Sequence, residues 1–400
     1  MYVLFIAQVF TAIGFSTIFP FLPLYVDELG SSYGLSVEFL SGLVFSAQAI
    51  TMMIASPIWG SLADRYGRKL MVERAMFGGA AILLMMAFVQ SAEQLVLLRA
   101  IQGLITGTIA AANALAASVT PRHRTGYAMG LLQVGMGSGI ALGPLIGGVI
   151  ADFYGYDAAF YITAVLLLVA GLLVHWGVEE RFERKARASE KRTGLLTEWR
   201  GIMIMPGVLT TYSMRFVSQL GRMLILPIAP LFIQTLLTDS SRLNTFTGLV
   251  VGAASATTTI SSIFLGRLGD RIGHSLVVMY SALITFSLYL LHYKVITGWQ
   301  LLLLQALVGV CLGGIIPSLS ALLAHFTPTD QAGTVYGLDS SIDAAGRAIA
   351  PLLGSAIAIA FGLRSTFLAV AFFFLIIVFL ARWGLPKPDP MKSRTVPLSP

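Results

Sequence analysis

Hydrophobic and polar residues are segregated along the chain into long apolar runs separated by short polar stretches. The runs are about 20 residues long, which is the length that a helix needs to cross the hydrocarbon core of a bilayer. Because backbone groups inside lipid must be hydrogen-bonded within their own segment, we expect each run to be a helix. The pattern therefore predicts an all-α membrane protein with twelve transmembrane helices, which we label α1 to α12.

The predicted helices form two sets of six. The first set comprises α1 (2–25), α2 (39–59), α3 (70–89), α4 (95–118), α5 (126–150) and α6 (158–178). The second set comprises α7 (208–236), α8 (245–265), α9 (276–295), α10 (300–325), α11 (334–361) and α12 (365–383). We expect two six-helix bundles (1–178 and 206–384), a cytoplasmic linker (179–205) and a disordered cytoplasmic tail (385–400).

The two halves repeat each other at a nearly constant offset. The spacing Gly-x5-Pro-x2-Pro that starts at Gly14 in α1 recurs in α7 from Gly221, 207 positions later. The pair Thr120-Pro121 after α4 recurs as Thr327-Pro328 at the same offset. Such agreement indicates an internal duplication. Parallel repeats of this kind build a binding site at their interface near the membrane centre, so we expect two pseudo-symmetric bundles around one site.

Composition and charge agree with a membrane protein. Of the 400 residues, 56% are hydrophobic and only 11% are charged, against about a quarter charged in soluble domains. The net charge of +7 could indicate nucleic-acid binding, but only Arg242, Lys294 and Arg364 among the basic residues fall at outer helix ends. This is the positive-inside bias of membrane proteins. We therefore expect both termini in the cytoplasm and no nucleic-acid partner.

No residue pattern indicates catalysis or metal binding. Cys311 is the single cysteine, and the five histidines are scattered without the spacing of metal ligands. Phosphate-binding loops, dinucleotide fingerprints and nucleophile–histidine groupings are likewise missing from the sequence. We expect a protein that is not an enzyme and that holds no metal or organic cofactor.

A polar stretch between α2 and α3 resembles the signature loop between the second and third helices of major facilitator superfamily transporters. Its sequence runs from Gly60 to Lys69, and a shorter copy follows α8. The resemblance implies two cytoplasmic gating loops, whose matching residues are Gly60, Asp64, Arg65, Gly67, Arg68 and Lys69 in the first copy and Gly266, Asp270, Arg271 and Gly273 in the second.

A glycine and proline pattern in α5 resembles the motif of the antiporter branch of this superfamily. Small residues at every fourth position let helices approach closely, and a proline kinks its helix. We expect a kinked α5 that seals the interface between the halves while they rock. The residues of the pattern are Gly130, Gly139, Gly143, Pro144, Gly147 and Gly148, and α11 carries a degraded copy at Gly337, Gly346, Pro351 and Gly354.

These motifs, with Ile13-Gly14 in α1 and Arg99-x-x-Gln102-Gly103 in α4, make the whole chain similar to twelve-helix drug:proton antiporters of the multidrug and tetracycline type. The resemblance implies a bacterial inner-membrane exporter that exchanges small amphiphilic compounds for protons by alternating access. It also implies the proton as coupling ion, the bilayer as surroundings and a monomer. The alternatives are a metabolite or sugar exporter of the same fold and, less favoured, a non-transporting membrane sensor.

Charged residues inside predicted helices are candidates for proton coupling, because charges in the membrane are costly and usually functional. In α11, Asp339, Asp343 and Arg347 follow each other at intervals of four and share one face. Arg215 and Arg222 share a face of α7. We hypothesise that Asp343 binds and releases the proton with Arg347 or Arg222 as counter-charge, and that Asp339 is a relay. A static buried ion pair is the alternative.

Arg99 matches the motif arginine that the family associates with proton transfer, although a structural role in α4 stays open. The resemblance implies a substrate cavity lined by α1, α4, α7 and α10. Because four membrane arginines face two membrane aspartates, neutral or weakly anionic substrates are at least as plausible as lipophilic cations. The aromatic and amide side chains predicted for this cavity are Phe15, Phe19, Gln48, Gln102, Asn113, Gln133, Gln219 and Tyr336.

The two gating loops are not equivalent, because His274-Ser275 replaces Arg68-Lys69 in the second copy. The resemblance places Asp64 near the cytoplasmic start of α11, where a helix amino terminus favours an anion. We therefore predict that Asp64, more than Asp270, latches the cytoplasmic side shut.

Overall fold

The computed structural model describes residues 2–106, 112, 115–116, 125–180, 201–237, 240–327 and 332–385. Within these residues every regular element is helical and no strand occurs. This confirms the all-α prediction. Most of the predicted linker and all but one residue of the predicted tail lie outside the described residues, so the domain boundaries stay a prediction.

The helices follow the predicted order. In the amino-terminal half they are Tyr2–Thr17 and Leu22–Leu29 (α1), Val37–Tyr66 (α2), Arg68–Met86 (α3), Ala92–Ile105 (α4) and Thr125–Gly177 (α5 and α6 together). In the carboxy-terminal half they are Val208–Leu224 and Ala229–Leu236 (α7), Leu243–Ile272 (α8), His274–His292 (α9), Gly298–Phe326 (α10), Ala332–Phe361 (α11) and Ser365–Phe379 (α12), the last continued by a π-helical turn at Leu380–Gly384.

Two helices that we predicted as single rods are bent. The two parts of α1 meet at 43° and the two parts of α7 at 41°. Each break lies where Pro20 and Pro227 precede a second proline, at Pro23 and Pro230. A proline cannot donate a backbone hydrogen bond and its ring clashes with the carbonyl four residues earlier. The duplicated prolines therefore bend α1 and α7 in the same way.

The chain is a multi-pass membrane protein. Seven of the described helices are long and apolar enough to cross a membrane, and the two bent pairs raise the number to nine. One of the seven, the 53-residue helix Thr125–Gly177, turns at Gly155, whose φ of 83° is not helical, and so contains two predicted crossings. α3 carries four charged residues in its first two turns, and α4 is described only in part. The count of twelve crossings stays a prediction.

The predicted gating loops are mostly helical, which corrects the sequence interpretation. α2 continues through Gly60 to Tyr66, and only Gly67 leaves the helix, with a φ of 101°. In the second copy α8 continues to Ile272, and Gly273 turns the chain with a φ of 98°. A positive φ is readily adopted only by glycine. One glycine suffices for each reversal, so the polar residues before it remain in the helix.

Each half has its own hydrophobic core. One cluster of buried side chains is drawn almost wholly from α7 to α12, and two others come from α1 to α6. The halves meet along two seams, where α2 packs against α11 and α5 against α8. Following the predicted topology, we call the end of the bundle with Gly30, Gly155 and Gly362 the outer end, and the end with Gly67 and Gly273 the inner end.

An outer loop is anchored by a carboxylate on α4. Glu93 accepts hydrogen bonds from the Ser31 hydroxyl at 2.6 Å and from the amides of Ser32 and Tyr33 at 3.3 and 3.4 Å. The Ser31 bond is the main reason that the pKa of Glu93 falls to about 2. The charged carboxylate therefore holds the loop between α1 and α2 against the start of α4.

Candidate functional site

The outer ends of both seams are closed by glycines. Gly42 of α2 lies against α11, where a Cβ would come within 2.8 Å of the Pro351 carbonyl oxygen and 3.0 Å of the Ser355 Cβ. Its counterpart Gly248 of α8 lies against the Pro144 carbonyl of α5. No side chain fits between these backbones. The two halves are therefore in direct backbone contact at the outer end.

The glycines toward the inner ends of the same four helices make no such contacts. A Cβ at Gly60, Gly130, Gly266 or Gly337 would meet no atom of the described residues within 4 Å. These glycines lie on α2, α5, α8 and α11, toward the inner end. Among the described residues, the close glycine contacts between the halves therefore lie toward the outer end.

The glycine motif of α5 packs mainly within its own half. A Cβ at Gly139 would lie 2.5 Å from the Ala12 Cβ of α1, and Gly143 and Gly147 lie against Ser16 and Thr17 of the same helix. The Ser16 hydroxyl also donates to the Gly139 carbonyl at 2.9 Å. These contacts differ from our expectation that the motif seals the interface between the halves.

Only part of the motif lies on the seam. Pro144 contacts Gly248, and Gly148 lies against Asn244 at the start of α8. In the degraded copy on α11, Gly346 and Gly354 likewise pack against α7 of their own half. The spacing of four therefore produces one stripe toward the neighbouring helix of the same half, and the residues next to that stripe reach the other half.

The charged residues of α7 and α11 meet in one network. The Arg215 guanidinium lies 3.3 Å from the Asp339 carboxylate. Asp343 lies 3.9 Å from a terminal nitrogen of Arg222 and accepts a bond from Nε of Arg347 at 3.1 Å. Asp343 is thus shared by two guanidinium groups, whereas Asp339 has one. The structure brings together the four residues that we predicted on these helices for proton coupling.

Arg215 belongs to this network although we did not include it among the coupling residues. It also donates toward the Ile316 carbonyl of α10 at 3.4 Å, so it joins three helices. The sequence signal was its position seven residues before Arg222, on the same helical face.

Arg99 is buried apart from this network. Its side chain is 2% exposed, and Nη1 donates to Oε1 of Gln102 at 2.7 Å. The guanidinium carbon lies 5.8 Å from the centre of the Phe45 ring on α2. No carboxylate among the described residues lies within ion-pair distance of it, and Nε and Nη2 have no hydrogen-bond partner there. A buried cation without a counter-charge is costly, and both the proton-transfer role and the structural role of Arg99 stay predictions.

Comparison with known proteins decides the family. The family model described as Major Facilitator Superfamily matches residues 4–214 and again residues 211–400. The chain belongs to the Major Facilitator Superfamily. The two matches cover the two halves in turn, in agreement with the internal duplication.

Relatives of this facilitator include the multidrug resistance proteins MdtG of Salmonella dublin and Salmonella typhimurium. Each is 36% identical over 362 residues, which cover 90% of this chain and 89% of the relative. Among solved structures, the human organic anion transporter MFSD10 matches with a TM-score of 0.66 at 19% identity, covering 95% of this chain and 98% of that one. An inward-facing, occupied bacterial homologue of the lysosomal transporter Spinster matches at 0.78 and 13% identity, covering 97% and 98%.

Two amides predicted to line the cavity of this facilitator are instead buried beside arginines. Gln102 is fully buried next to Arg99, and Gln219, 2% exposed, accepts a bond from Arg222 and packs against Gly346. Their oxygens orient guanidinium groups, because a buried cation needs acceptors. Gln102 and Gln219 therefore do not line an open cavity, which corrects that part of the prediction.

The other predicted cavity residues differ from one another in their exposure. Phe15, Phe19 and Gln48 are half-buried, and the ring centres of Phe19 and Phe45 lie 6.0 Å apart. Gln133 is exposed on α5. Asn113 and the side chain of Tyr336 lie outside the described residues.

The first gating stretch of the facilitator is tied to α6 by a residue that the sequence did not single out. Glu180 accepts hydrogen bonds from the amides of Arg68 and Lys69 at 3.1 and 2.8 Å. Lys69 in turn donates to the His175 carbonyl at 2.6 Å. Glu180 thus caps α3, which has no cap of its own at Gly67. Glu180 lies at the start of the charged linker, and its charge alone does not distinguish it from the other charged residues there.

Among the described residues, no carboxylate ties the second gating stretch in this way. Asp270 instead pairs with His274, 3.2 Å away, on the next turn of chain. Arg65, Arg271 and Gly273 are exposed. The Asp64 side chain lies outside the described residues, so its predicted latch on α11 stays a prediction.

Proposed function

We propose that this facilitator exports small amphiphilic, drug-like compounds in exchange for protons by alternating access. The observation that carries the proposal is the position of Asp343, which lies between Arg222 and Arg347 in a membrane-spanning helix. The similarity to multidrug resistance proteins over nine-tenths of the chain supports drug-like substrates.

The network offers a simple mechanism for coupling. An ionised Asp343 accepts a hydrogen bond from Arg347 and attracts the Arg222 guanidinium 3.9 Å away. A protonated carboxylic acid accepts more weakly and carries no charge to hold either group. Binding of a proton therefore loosens α7 from α11, and its release to the inner side restores the pairs. Because charges inside the membrane are costly unless paired, the freed arginines favour either a substrate or a changed packing of the two helices.

The charge of the network bears on the substrate. Three arginines, Arg215, Arg222 and Arg347, face two aspartates, and the Arg347 side chain is 45% exposed. Arg347 also lies one turn before Pro351, on the stripe of α11 that reaches α2. An excess positive charge beside the seam between α2 and α11 disfavours the approach of lipophilic cations. We therefore propose neutral or weakly anionic amphiphiles as the preferred substrates.

We further propose a bacterial inner-membrane monomer with both termini in the cytoplasm, without any cofactor besides the proton. The excess of Lys and Arg in the inner loops supports this orientation. A membrane-embedded transporter of small molecules needs no further partner for alternating access of this kind.

Dye export from energised membrane vesicles tests the proposal. Uncharged and anionic fluorescent amphiphiles of one scaffold should be exported, and a protonophore should abolish the export because it removes the driving proton gradient. A cationic dye of the same scaffold should be exported more slowly. Export that continues unchanged with the protonophore would rule out proton exchange, and preference for the cation would rule out the proposed substrate class.

A further inference from the structure

The start of α8, at the outer end of the seam, is not capped by the side chain of its own N-cap residue. Its N-cap residue Arg242 makes no side-chain hydrogen bond to the first turn. By contrast, Ser36, Ser91 and Thr297 cap α2, α4 and α10 from their own N-cap positions. The first amides of a helix have no partner within it. Those of α8 must therefore be satisfied from elsewhere.

Asp152 supplies the missing cap from the other half of the molecule. Its Oδ1 accepts from the amide and side-chain nitrogens of Asn244 at 3.1 and 2.9 Å. Its Oδ2 accepts from the Thr245 amide at 2.7 Å. A carboxylate at a helix amino terminus also interacts favourably with the helix dipole. Both oxygens of Asp152, on the α5–α6 helix, are thus engaged by the first turn of α8.

The surroundings of Asp152 hold the two helices close enough for this contact. Gly148, one turn earlier, lies against the Asn244 carbonyl, and a Cβ there would come within 3.0 Å of the Thr245 Cα. The Tyr156 hydroxyl, just beyond the break at Gly155, lies 3.4 Å from the Asn244 side chain. Residues on both sides of Asp152 therefore contact the start of α8.

The opposite seam is built differently. The corresponding start of α2 is capped by Ser36, whose side chain accepts from the Phe39 amide of the same helix at 3.3 Å. Separating α2 from α11 leaves that cap in place. Separating α5 from α8 removes the three hydrogen bonds that Asp152 accepts from the first turn of α8.

We propose that Asp152 is an outer latch of the transport cycle. Its carboxylate stabilises the closed outer end while the inner end is open, and it must leave α8 before the outer end opens. The proposal rests on alternating access in the proposed function, but it concerns a conformational equilibrium that can be measured without transport. Asp152 acts by positioning α8 and needs no contact with substrate or proton.

Distances between spin labels at the outer end test the latch. Labels at Tyr154→Cys and Ile296→Cys, both exposed and on opposite halves, are placed in a Cys311→Ser background. Asp152→Ala should raise the ratio of open to closed outer ends by roughly 5- to 30-fold, the usual effect of losing a good helix cap. Ser36→Ala, the matched control, should leave the distances unchanged. If Asp152→Ala does not fold, Asp152→Asn should give a smaller shift in the same direction.

A second variant separates latching from simple stabilisation of α8. Adding Arg242→Ser to Asp152→Ala gives α8 a cap within its own half. The latch account predicts that this double variant recovers thermal stability while its outer end stays open. Recovery of the closed distances together with the stability would overturn the latch, as would an unchanged distance distribution in Asp152→Ala. If the distribution shifts in Asp152→Ala but the wild-type protein exports no dye, the result would support the latch and contradict the proposed function.

Discussion

At the scale of single residues, the molecule uses neutral acceptors and shared carboxylates to keep arginines in the membrane. Gln102 accepts a hydrogen bond from Arg99 and Gln219 accepts one from Arg222, each three residues away on the same helix. Asp343 forms ion pairs with two arginines, Arg222 and Arg347. Each arginine charge is therefore only partly compensated. The pairing of these arginines changes strongly when Asp343 gains or loses one proton.

The outer-loop carboxylate Glu93 gives a prediction for pH dependence. Because folding lowers its pKa to about 2, its contribution is fully present above the ordinary glutamate pKa of about 4.3 and is lost only as the pH falls toward 2. Amide protection of the loop after Gly30, corrected for intrinsic exchange, should therefore be the same at pH 7 and pH 5. Glu93→Gln should lower this protection roughly fivefold at both values. Equal protection in the variant and the wild type would contradict this role.

At the scale of helices, glycine positions decide which helices touch. The α5 stripe at Gly139, Gly143 and Gly147 fits α1 within one half, and Gly148 beside it fits the other half. The motif therefore packs α5 against α1 of its own bundle, and only the residues beside the stripe, such as Gly148, contact α8 of the other half. Adjacent residues of one motif thus serve different contacts, a division that the spacing alone does not reveal.

Substitution of these glycines should separate the two roles. Gly143→Val places a branched side chain against Ser16 and the Ile13 carbonyl, and overpacking of this kind costs about 1–3 kcal/mol. It should lower the thermal unfolding temperature in detergent. Gly130→Val, where no described atom lies within 4 Å, is the matched control and should leave that temperature unchanged. A similar decrease of the unfolding temperature in both variants would contradict a stabilising role for the contact between Gly143 and α1.

At the scale of the whole molecule, the sequence predicts the helices well and their contacts poorly. Apolar runs and duplicated prolines are local patterns, so the order of helices and the repeat could be derived from them. The bends at Pro20 and Pro227 could also have been expected from proline geometry. The helical course of Gly60–Tyr66 was missed because polar composition was taken as a loop, although a single glycine makes the turn.

Contacts between distant residues had no local signal. Asp152 and Asn244 lie 92 positions apart, and Glu180 lies 112 positions from Arg68. Nothing in the spacing of either pair indicates that a carboxylate of one segment caps the helix of another. For the same reason the glycine contacts between the halves, such as that of Gly248 with Pro144, could not be derived from the sequence.

The central claim is that Asp343 couples proton movement to export. In proteoliposomes with an imposed pH gradient, the account predicts that Asp343→Asn loses gradient-driven export at least tenfold, because about 1.4 kcal/mol of lost coupling already gives that factor. Exchange of substrate for substrate without a gradient should remain, since it needs no net proton movement. Asp157→Asn, an exposed carboxylate at the outer end, is the control and should behave as the wild type. Gradient-driven export by Asp343→Asn at the wild-type rate would contradict the account.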